Sequence, residues 1–254
     1  GSHLLKAMVY GRLYRNYPRE RDLASKALSY DPTYSDAYII RAEANYLLGD
    51  YDACVRDAAS YKSLNPADME GYETSLLCLE LAGNYEDAQK EGVRILELDP
   101  GNHAALWRLG RIDAARGLHG KAIAKFSEAI RKSGGRPQYY LDRARSCAEE
   151  GDFSCSAWDY ASAMSWREVS DYASYYYLLG GAMYRAGELE SALAAAGTAI
   201  QKEPGNPDYY ELRGRVLADS GKPVAAKKDF LKMSALSPER KAEAESLLRQ
   251  LAEK

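Results

Sequence analysis

Between Tyr176 and Asn206 the chain reads YYLLGGAMYRAGELESALAAAGTAIQKEPGN. Apolar and small residues recur at helical spacing up to Gly187, which predicts a first short amphipathic helix. A second helix follows from Glu188 and ends before Pro204, because a Pro-Gly-Asn turn does not continue a helix. Two helices this short cannot bury their apolar faces alone. The stretch therefore predicts further copies of the same helix pair.

The copies are present along almost the whole chain, as columns that recur every 34 residues with one step of 36. The large residue of the first helix is in turn Leu4, Tyr38, Tyr72, Leu106, Tyr140, Tyr176 and Tyr210. Arg15 stands at the first turn, and the later turns contain Gly49, Gly83, Gly117, Gly151, Gly187 and Gly221. The small residue of the second helix is in turn Cys54, Ala88, Ala122, Ser156, Ala192 and Ala226. Together the columns predict seven helix pairs.

A helix–turn–helix unit of 34 residues with these columns resembles the tetratricopeptide repeat (TPR). The resemblance implies an all-α fold, a right-handed α-solenoid of seven repeats with a C-terminal capping helix. We place the repeats at approximately 4–34, 35–68, 69–102, 103–136, 137–172, 173–206 and 207–240. Residues 241–254 are predicted to cap the last repeat, because Ala244, Leu247, Leu248 and Leu251 form one apolar stripe.

The two ends of the chain and its composition limit the partners. Gly1-Ser2-His3 is expected to be the remainder of a removed tag, and a signal peptide or further domains could have been removed with it. The net charge of −3 argues against a general binder of nucleic acid or anionic membranes. No apolar run approaches the roughly 20 residues that span a bilayer. The expected partner is a protein or peptide, and a second copy of the chain remains an alternative.

The four cysteines show no metal-binding spacing. We interpret them as small packing residues in a reducing compartment, since free cysteine is commonly buried. Alternatively, Cys147 and Cys155 flank a turn and could meet across two helices. Free thiols would favour the cytoplasm, but a removed signal peptide leaves the compartment open.

Irregular positions are concentrated in the middle of the chain. The segment Ser133–Pro137, SGGRP, replaces the usual proline turn and predicts a hinge. The linker around 166–172 is two residues longer than the others and belongs to an aromatic region comprising Trp158, Tyr160, Trp166, Tyr172 and Tyr175. These rings either fill the space of the longer linker or form a contact site.

Asn45 and Asp113 occupy a column that is usually apolar, so each needs a buried partner.

The sequence predicts no catalytic site, no metal and no cofactor. His103 and His119 lie near repeat boundaries, and neither belongs to a recognisable nucleophile signature. Neither a GxxxxGK[ST] phosphate loop nor an HExxH zinc motif occurs. We therefore expect that the chain is not an enzyme.

The TPR resemblance implies that the first helices line a concave groove. Groove positions in the second and third repeats carry the acidic residues Asp36, Glu43, Glu70, Glu73 and Glu80. Later repeats carry Arg108, Arg111, Arg145, Arg185 and Arg215, among which lie Trp107, Leu141, Tyr177 and Tyr184. These arginines and apolar residues are the predicted ligand-binding set, since arginines with aromatics dominate interface energetics. Alternatively, each arginine pairs with a local acid, as Asp142 and Arg145 could.

One groove position is empty in the sixth repeat. Arg111, Arg145 and Arg215 share a position at which the sixth repeat has Gly181, which predicts a recess beside Tyr177. The TPR subclass that clamps chaperone tails with Lys and Asn is not matched, because its places hold Leu5, Val9, Ile40, Glu70 and Thr74.

The predicted function is a non-enzymatic scaffold that binds a peptide or protein segment in the groove, with an acidic segment in the C-terminal half. Two alternatives remain. The chain could be the docking or regulatory part of a larger enzyme or secretion and assembly machine, or it could be a self-assembling scaffold.

Overall fold

The computed structural model describes residues 2–253, and of Ser2 and Arg12 it describes the backbone only. The described chain is all-α, with sixteen α-helices and one 3₁₀ turn, and the residues described contain no strand. The first eight helices are α1 (Ser2–Tyr14), α2 (Tyr17–Tyr30), α3 (Ser35–Leu47), α4 (Tyr51–Leu64), α5 (Met69–Leu81), α6 (Tyr85–Leu98), α7 (His103–Ala115) and α8 (His119–Ser133). The next eight are α9 (Pro137–Glu149), α10 (Phe153–Ala163), α11 (Arg167–Ser170), α12 (Ala173–Arg185), α13 (Leu189–Lys202), α14 (Pro207–Asp219), α15 (Pro223–Leu236) and α16 (Lys241–Ala252).

The chain divides into two compact units, and we describe each by itself. The N-terminal unit ends at Lys132 and the C-terminal unit begins at Ser133. This division falls at the glycine junction, where Gly134 and Gly135 have φ of +73° and +97°. Backbone in this left-handed region suits glycine, which explains why the usual proline turn is replaced here.

Three tyrosines of the column hold the turn that precedes their first helix. The hydroxyl of Tyr38 donates a hydrogen bond to the carbonyl oxygen of Pro32, six residues earlier, over 3.1 Å. Tyr72 and Tyr210 make the same 3.1 Å bond to the prolines at their own turns. Each of these tyrosines therefore packs its ring within the helix pair, while its hydroxyl binds the backbone of the turn.

Glycine at the turn between paired helices is required by the backbone. Gly49, for example, has φ of +79°, and Arg15, which replaces the glycine in the first pair, is the one described non-glycine residue with positive φ, at 49°. A side chain in that region is strained, so the glycine column marks the turns that end the first helices.

The core of each unit lies between its helix pairs. In the N-terminal unit Leu76, Ile95 and Ile112 are at most 1% exposed. In the C-terminal unit Phe230 and Met233 of α15 pack with Ala244 and Leu247 of α16. The apolar stripe of the last helix is therefore buried against the helix pair before it.

Partly buried ion pairs link the two helices of three pairs. In each, an arginine on the first helix bonds an aspartate 16 residues later through both carboxylate oxygens, at 2.6 to 2.9 Å. The pairs are Arg41–Asp57, Arg143–Asp159 and Arg213–Asp229. Because bidentate guanidinium–carboxylate contacts are among the stronger hydrogen bonds, these pairs fix how the two helices face each other.

The two polar residues in the apolar column each have a charged partner on the second helix of their pair, although the amide oxygen of Asn45 bonds no described residue. The Asn45 amide donates to the Asp57 carboxylate over 3.0 Å, which places it in the ion pair of Arg41. Asp113, which is 1% exposed, forms an ion pair with Lys125 of α8.

The interpretation of the cysteines as free thiols is wrong. Cys54 of α4 and Cys78 of α5 form a disulfide, and Cys147 of α9 and Cys155 of α10 form a second one. Burial of the sulfurs was expected, and three of the four residues are at most 1% exposed. The sequence does not show how closely neighbouring helices pack. In the structure this packing brings Cys54 and Cys78, which lie 24 positions apart, into bonding contact. The argument for a reducing compartment therefore fails, because disulfides persist in oxidising environments.

The longer linker contains the short helix α11. Around it the aromatic residues divide into two groups. Tyr160 is 4% exposed and belongs to the core, whereas Trp158 and Tyr172 are 60% and 61% exposed. The Tyr140 ring lies between the rings of Trp158 and Trp166, with centroids 6.0 and 5.8 Å away. Inward packing thus accounts for some of these rings and not for all.

The first helix includes part of the segment that we left out as a tag remnant. It begins at Ser2, and the His3 ring stacks on Tyr30 with centroids 5.7 Å apart, while Gly1 lies outside the described residues. Among the described helices, none has both the length and the apolar character that a bilayer crossing requires.

Candidate functional site

The two predicted groove arginines of the N-terminal unit, Arg108 and Arg111, both pair with Glu80. Arg108 Nη1 lies 2.8 Å from one oxygen of Glu80, and Arg111 Nε lies 3.0 Å from the other. Both guanidinium groups also lie over the Trp107 ring, 5.4 and 5.0 Å from its centroid. The Glu80 side chain is only 5% exposed, so water does little to stabilise its charge. The two arginines balance that charge instead.

Several acidic residues of the N-terminal unit lie close together around Tyr61. The Tyr61 hydroxyl donates to Asp68 over 2.5 Å and lies 3.5 Å from Glu70. Burial raises the pKa of the Glu70 carboxyl, and the charges of Asp68, Asp36 and Glu43 raise it further. This face is therefore negative except where Glu80 meets its two arginines.

Two of the three predicted arginines in the C-terminal unit pair with acids on their own helix. Arg145 Nη1 lies 2.7 Å from Asp142, as the alternative interpretation expected. Arg215 Nε lies 2.6 Å from Glu211, whose other oxygen contacts Arg240. The Arg145 side chain is 56% exposed, so its pairing is loose compared with that of the buried pairs.

Arg185 differs from the other four arginines. Its guanidinium group lies over the Phe153 ring, 4.9 Å from the centroid, and no carboxylate of the described residues forms an ion pair with it. The residue is exposed at the end of α12. A cation of this kind is available to an anionic group from outside.

Arg185 stands at the wall of a cavity of about 330 Å³ in the C-terminal unit. We call it the Gly181 cavity, because a Cβ placed on Gly181 would meet no atom within 4 Å. Its lining residues are Ala148, Phe153, Ser156, Tyr160, Tyr177, Leu178, Gly181, Ala182, Tyr184, Arg185, Glu211, Leu212 and Arg215. The recess expected beside Tyr177 is therefore present, although whether it binds a ligand stays a prediction.

Neighbouring residues hold the tyrosines of the cavity in place. The Tyr184 hydroxyl donates to Asp219 over 2.5 Å, and burial together with this hydrogen bond raises the pKa of Tyr184 to about 12. The Tyr177 ring packs against Tyr209, with centroids 5.3 Å apart. Both hydroxyls therefore stay protonated near neutral pH, and the cavity wall is uncharged where the rings face it.

The structure brings some of the predicted residues together and not others. Arg185, Arg215, Tyr177 and Tyr184 line one cavity. Leu141 is 7% exposed and is a core residue. Trp107, Arg108 and Arg111 belong to the N-terminal unit with Glu80.

Sequence reasoning missed two polar residues of the cavity, Glu211 and Ser156. Ser156 of α10 is fully buried, and its hydroxyl has no hydrogen-bond partner among the residues the structure describes. A signal for it existed: from the second repeat onward, the other members of this column on the second helices are all Ala or Cys. A hydroxyl in a buried apolar column needs an explanation.

One group of side chains has the spacing of a metal site. The sulfur atoms of Cys147 and Cys155 and a carboxylate oxygen of Asp159 lie within 4.8 Å of one another. The two cysteines are joined in a disulfide, and Asp159 is held by Arg143 through both oxygens. Since a disulfide sulfur is not a thiolate ligand, this arrangement is a structural one.

Comparison with known proteins identifies the family. The tetratricopeptide repeat family model matches residues 82–137 and 177–254, just over half of the chain. The chain belongs to the tetratricopeptide repeat family. This family consists of binding scaffolds that are generally non-catalytic. None of the curated protein sequences matches the chain.

Solved structures of TPR proteins share the fold at low sequence identity. The C-terminal part of a TPR repeat-containing protein from Cytophaga hutchinsonii aligns with a TM-score of 0.79 and 17% identity, over 96% of this chain and 99% of that one. YrrB, described as a TPR protein with an unusual peptide-binding site, aligns with a TM-score of 0.69 and 16% identity, over 78% of this chain and 98% of its own. A TPR protein from Parabacteroides merdae aligns with a TM-score of 0.64 and 15% identity, over 99% of this chain and all of its own. These likenesses concern the fold alone.

Proposed function

We propose that this TPR protein is a non-enzymatic interaction scaffold that holds a peptide or protein segment on its first helices, and that its C-terminal unit prefers an acidic segment. The observation that carries the proposal is the Gly181 cavity with Arg185 at its wall. Peptide binding by the TPR protein YrrB, whose fold is similar, supports it.

The cavity has the features of a binding site for part of a larger ligand. Its volume of about 330 Å³ is at the lower end of the roughly 300–1,000 Å³ found for ligand pockets. Aromatic and aliphatic side chains form most of its lining, and a few polar groups converge on it. Such an arrangement suits one anchoring side chain of a segment that continues over the surface.

Charge favours an acidic segment at this place. Two guanidinium groups, those of Arg185 and Arg215, line the cavity together with one carboxylate, that of Glu211. Glu211 is paired with Arg215 and Arg240, which leaves Arg185 as the lining cation without an ion pair to a described carboxylate. Arg145, on the same kind of helix position, adds an exposed guanidinium. A guanidinium group offers a carboxylate two parallel hydrogen bonds.

Selection from a library of random twelve-residue peptides on the immobilised protein tests the proposal. We expect enrichment of peptides rich in Asp and Glu, and affinity that falls as salt rises, because exposed charges are screened within about 8 Å at physiological ionic strength. Arg185→Glu should remove the acidic preference. Arg167→Glu is the matched control, because Arg167 is 92% exposed in the same unit and does not line the cavity. If the wild-type protein enriches no peptides, or if both variants behave alike, the proposed function is wrong.

A further inference from the structure

The Gly181 cavity exists because one side chain is missing from a repeated position. The equivalent positions on α7, α9 and α14 carry Arg111, Arg145 and Arg215. Beyond a Cβ at Gly181 there is open space, so the helix tolerates larger residues there without a clash. The opening is therefore a local feature of α12 and not a consequence of the general fold.

Ser156 adds a fully buried hydroxyl to the lining of the cavity. Ser156 is 0% exposed and has no hydrogen-bond partner among the described residues, although it lines the cavity. A buried hydroxyl without a partner costs stability, whereas Ala at this position would not. Ala occupies the equivalent position on α6, α8, α13 and α15. A polar atom of a ligand would satisfy this hydroxyl once a neighbouring side chain of the lining shifts, because less than 1 Å² of the oxygen is accessible.

Four of the residues that line the cavity with Ser156 are aromatic. Phe153, Tyr160, Tyr177 and Tyr184 line the cavity, and aromatic rings pack favourably against one another at offset or edge-on angles. The Arg185 guanidinium lies over Phe153 at the same cavity. A ligand thus meets a cation, aromatic surfaces and one buried hydroxyl at a single site.

We propose that the Gly181 cavity receives a tyrosine side chain of the bound segment, with its hydroxyl hydrogen-bonded to Ser156 and a neighbouring acidic residue paired with Arg185. This inference rests on the proposed function. Tyrosine fits better than phenylalanine because its hydroxyl satisfies Ser156. It fits better than tryptophan because a phenol both donates and accepts, whereas an indole N–H donates only.

Titration with capped dipeptides, followed by NMR chemical shifts, tests the ligand chemistry directly. The probes are acetylated, amidated aspartyl-tyrosine, aspartyl-phenylalanine and asparaginyl-tyrosine. The wild-type protein should bind aspartyl-tyrosine roughly tenfold more tightly than aspartyl-phenylalanine, because the latter leaves Ser156 without a partner. Replacing the aspartyl residue with asparaginyl should also weaken binding, since it removes the charge that meets Arg185.

Three variants keep the test independent of folding. Ser156→Ala places the common residue of its column and should bring the two aspartyl dipeptides to nearly equal affinity. Gly181→Arg places the residue found in the equivalent helices and should abolish binding by filling the cavity. Gly197→Arg is the matched control, because a Cβ there also meets no atom within 4 Å and Gly197 lies outside the cavity.

The outcomes separate this inference from the proposed function. Equal wild-type affinity for the tyrosine and phenylalanine probes overturns the inference, as does unchanged binding by Gly181→Arg. Failure of the wild-type protein to bind any dipeptide at about 10 mM, roughly ten times the Kd of a weak millimolar ligand, overturns it too. In each case enrichment of acidic peptides from the library would leave the proposed function standing, whereas an empty library selection would remove both.

Discussion

The two units present first-helix faces with the same repeat columns and different charge balance. In the N-terminal unit Arg108 and Arg111 meet the buried Glu80, so the cations serve the fold. In the C-terminal unit Arg185 stands beside an open cavity with no ion pair to a described carboxylate. Arginines on the first helices can therefore be structural in one unit and available in the other.

The two units differ in this way because their repeats carry different residues at two equivalent positions of the first helix. Glu80 on α5 supplies a buried acid that the C-terminal unit lacks at the equivalent positions of α9 and α12, where Ala148 and Tyr184 stand. Gly181 on α12 removes the side chain that Arg111 provides on α7. A row of arginines in a sequence alignment of repeats thus does not by itself define a site. The residues that surround each arginine decide its role.

The largest expected effect concerns the distinction between buried and exposed ion pairs. Asp159→Asn should lower the free energy of unfolding by about 3–5 kcal/mol, because it removes the charge of a fully buried carboxylate that Arg143 contacts through both oxygens. The control Asp142→Asn removes the exposed contact with Arg145 and should cost less than about 1 kcal/mol. Urea unfolding of both variants measures the difference. Similar losses would show that exposure does not separate structural from available arginines.

The disulfides provide a comparison between the units. Removing the bond between Cys54 and Cys78, which closes the longer loop, should cost about 3.5 kcal/mol, and removing the bond between Cys147 and Cys155 about 2.5 kcal/mol. The reason is that a cross-link restricts the unfolded chain more when the loop is longer. Double alanine variants, compared with the parent protein in urea with and without dithiothreitol, measure both values. A parent protein whose stability does not respond to the reductant would contradict the two bonds.

Substitution of two adjacent glycines sharpens the description of the cavity. A Cβ at Gly180 would lie 3.3 Å from Leu212 and 3.4 Å from Ala192, so Gly180→Leu should cost about 1–3 kcal/mol or more through overpacking. Gly181→Leu points into open space, and it should be neutral or stabilise by up to about 1 kcal/mol because leucine favours a helix more than glycine does. Thermal melting of the two variants gives the sign of each effect. Equal destabilisation would mean that the cavity is not open.

The smallest expected effect tests the negative face of the N-terminal unit. The folded-state pKa of Glu70 is raised, so the stability linked to its proton is present at acid pH and is lost as pH rises through that pKa. Glu70→Gln should therefore be more stable than the parent at pH 7, by a few tenths of a kcal/mol since the residue is exposed, and equal to it near pH 3. Melting curves at both pH values measure this. A variant that is less stable at pH 7 would show that Glu70 has a favourable partner.

Much of the fold was readable from the sequence because repetition multiplies weak signals. The tyrosine column and the turn glycines each follow from one local requirement, a hydrogen bond to a turn carbonyl or a positive φ, which recurs in successive copies. The recess at Gly181 was also readable, because a missing side chain stands out against a column of arginines.

The contacts between helices were not readable in the same way. The disulfide between Cys54 and Cys78 and the pairing of Glu80 with Arg108 both join different repeats, so they depend on distances that no single repeat encodes. The unpaired hydroxyl of Ser156 required knowledge that no neighbour reaches it. Columns therefore predict which residues face inward, and the packing of neighbouring helices decides which of them meet.

The most direct test of the account compares charge reversal in the two units. An acidic peptide from the library selection is titrated against Arg185→Glu and Arg111→Glu, and the melting temperature of each variant is recorded. The account predicts that Arg185→Glu weakens binding at least tenfold with an unchanged melting temperature, because this cation faces an open cavity. It predicts that Arg111→Glu binds normally but melts early, because it places a second negative charge beside the buried Glu80. Normal binding by Arg185→Glu, or loss of binding without loss of stability in Arg111→Glu, would contradict it.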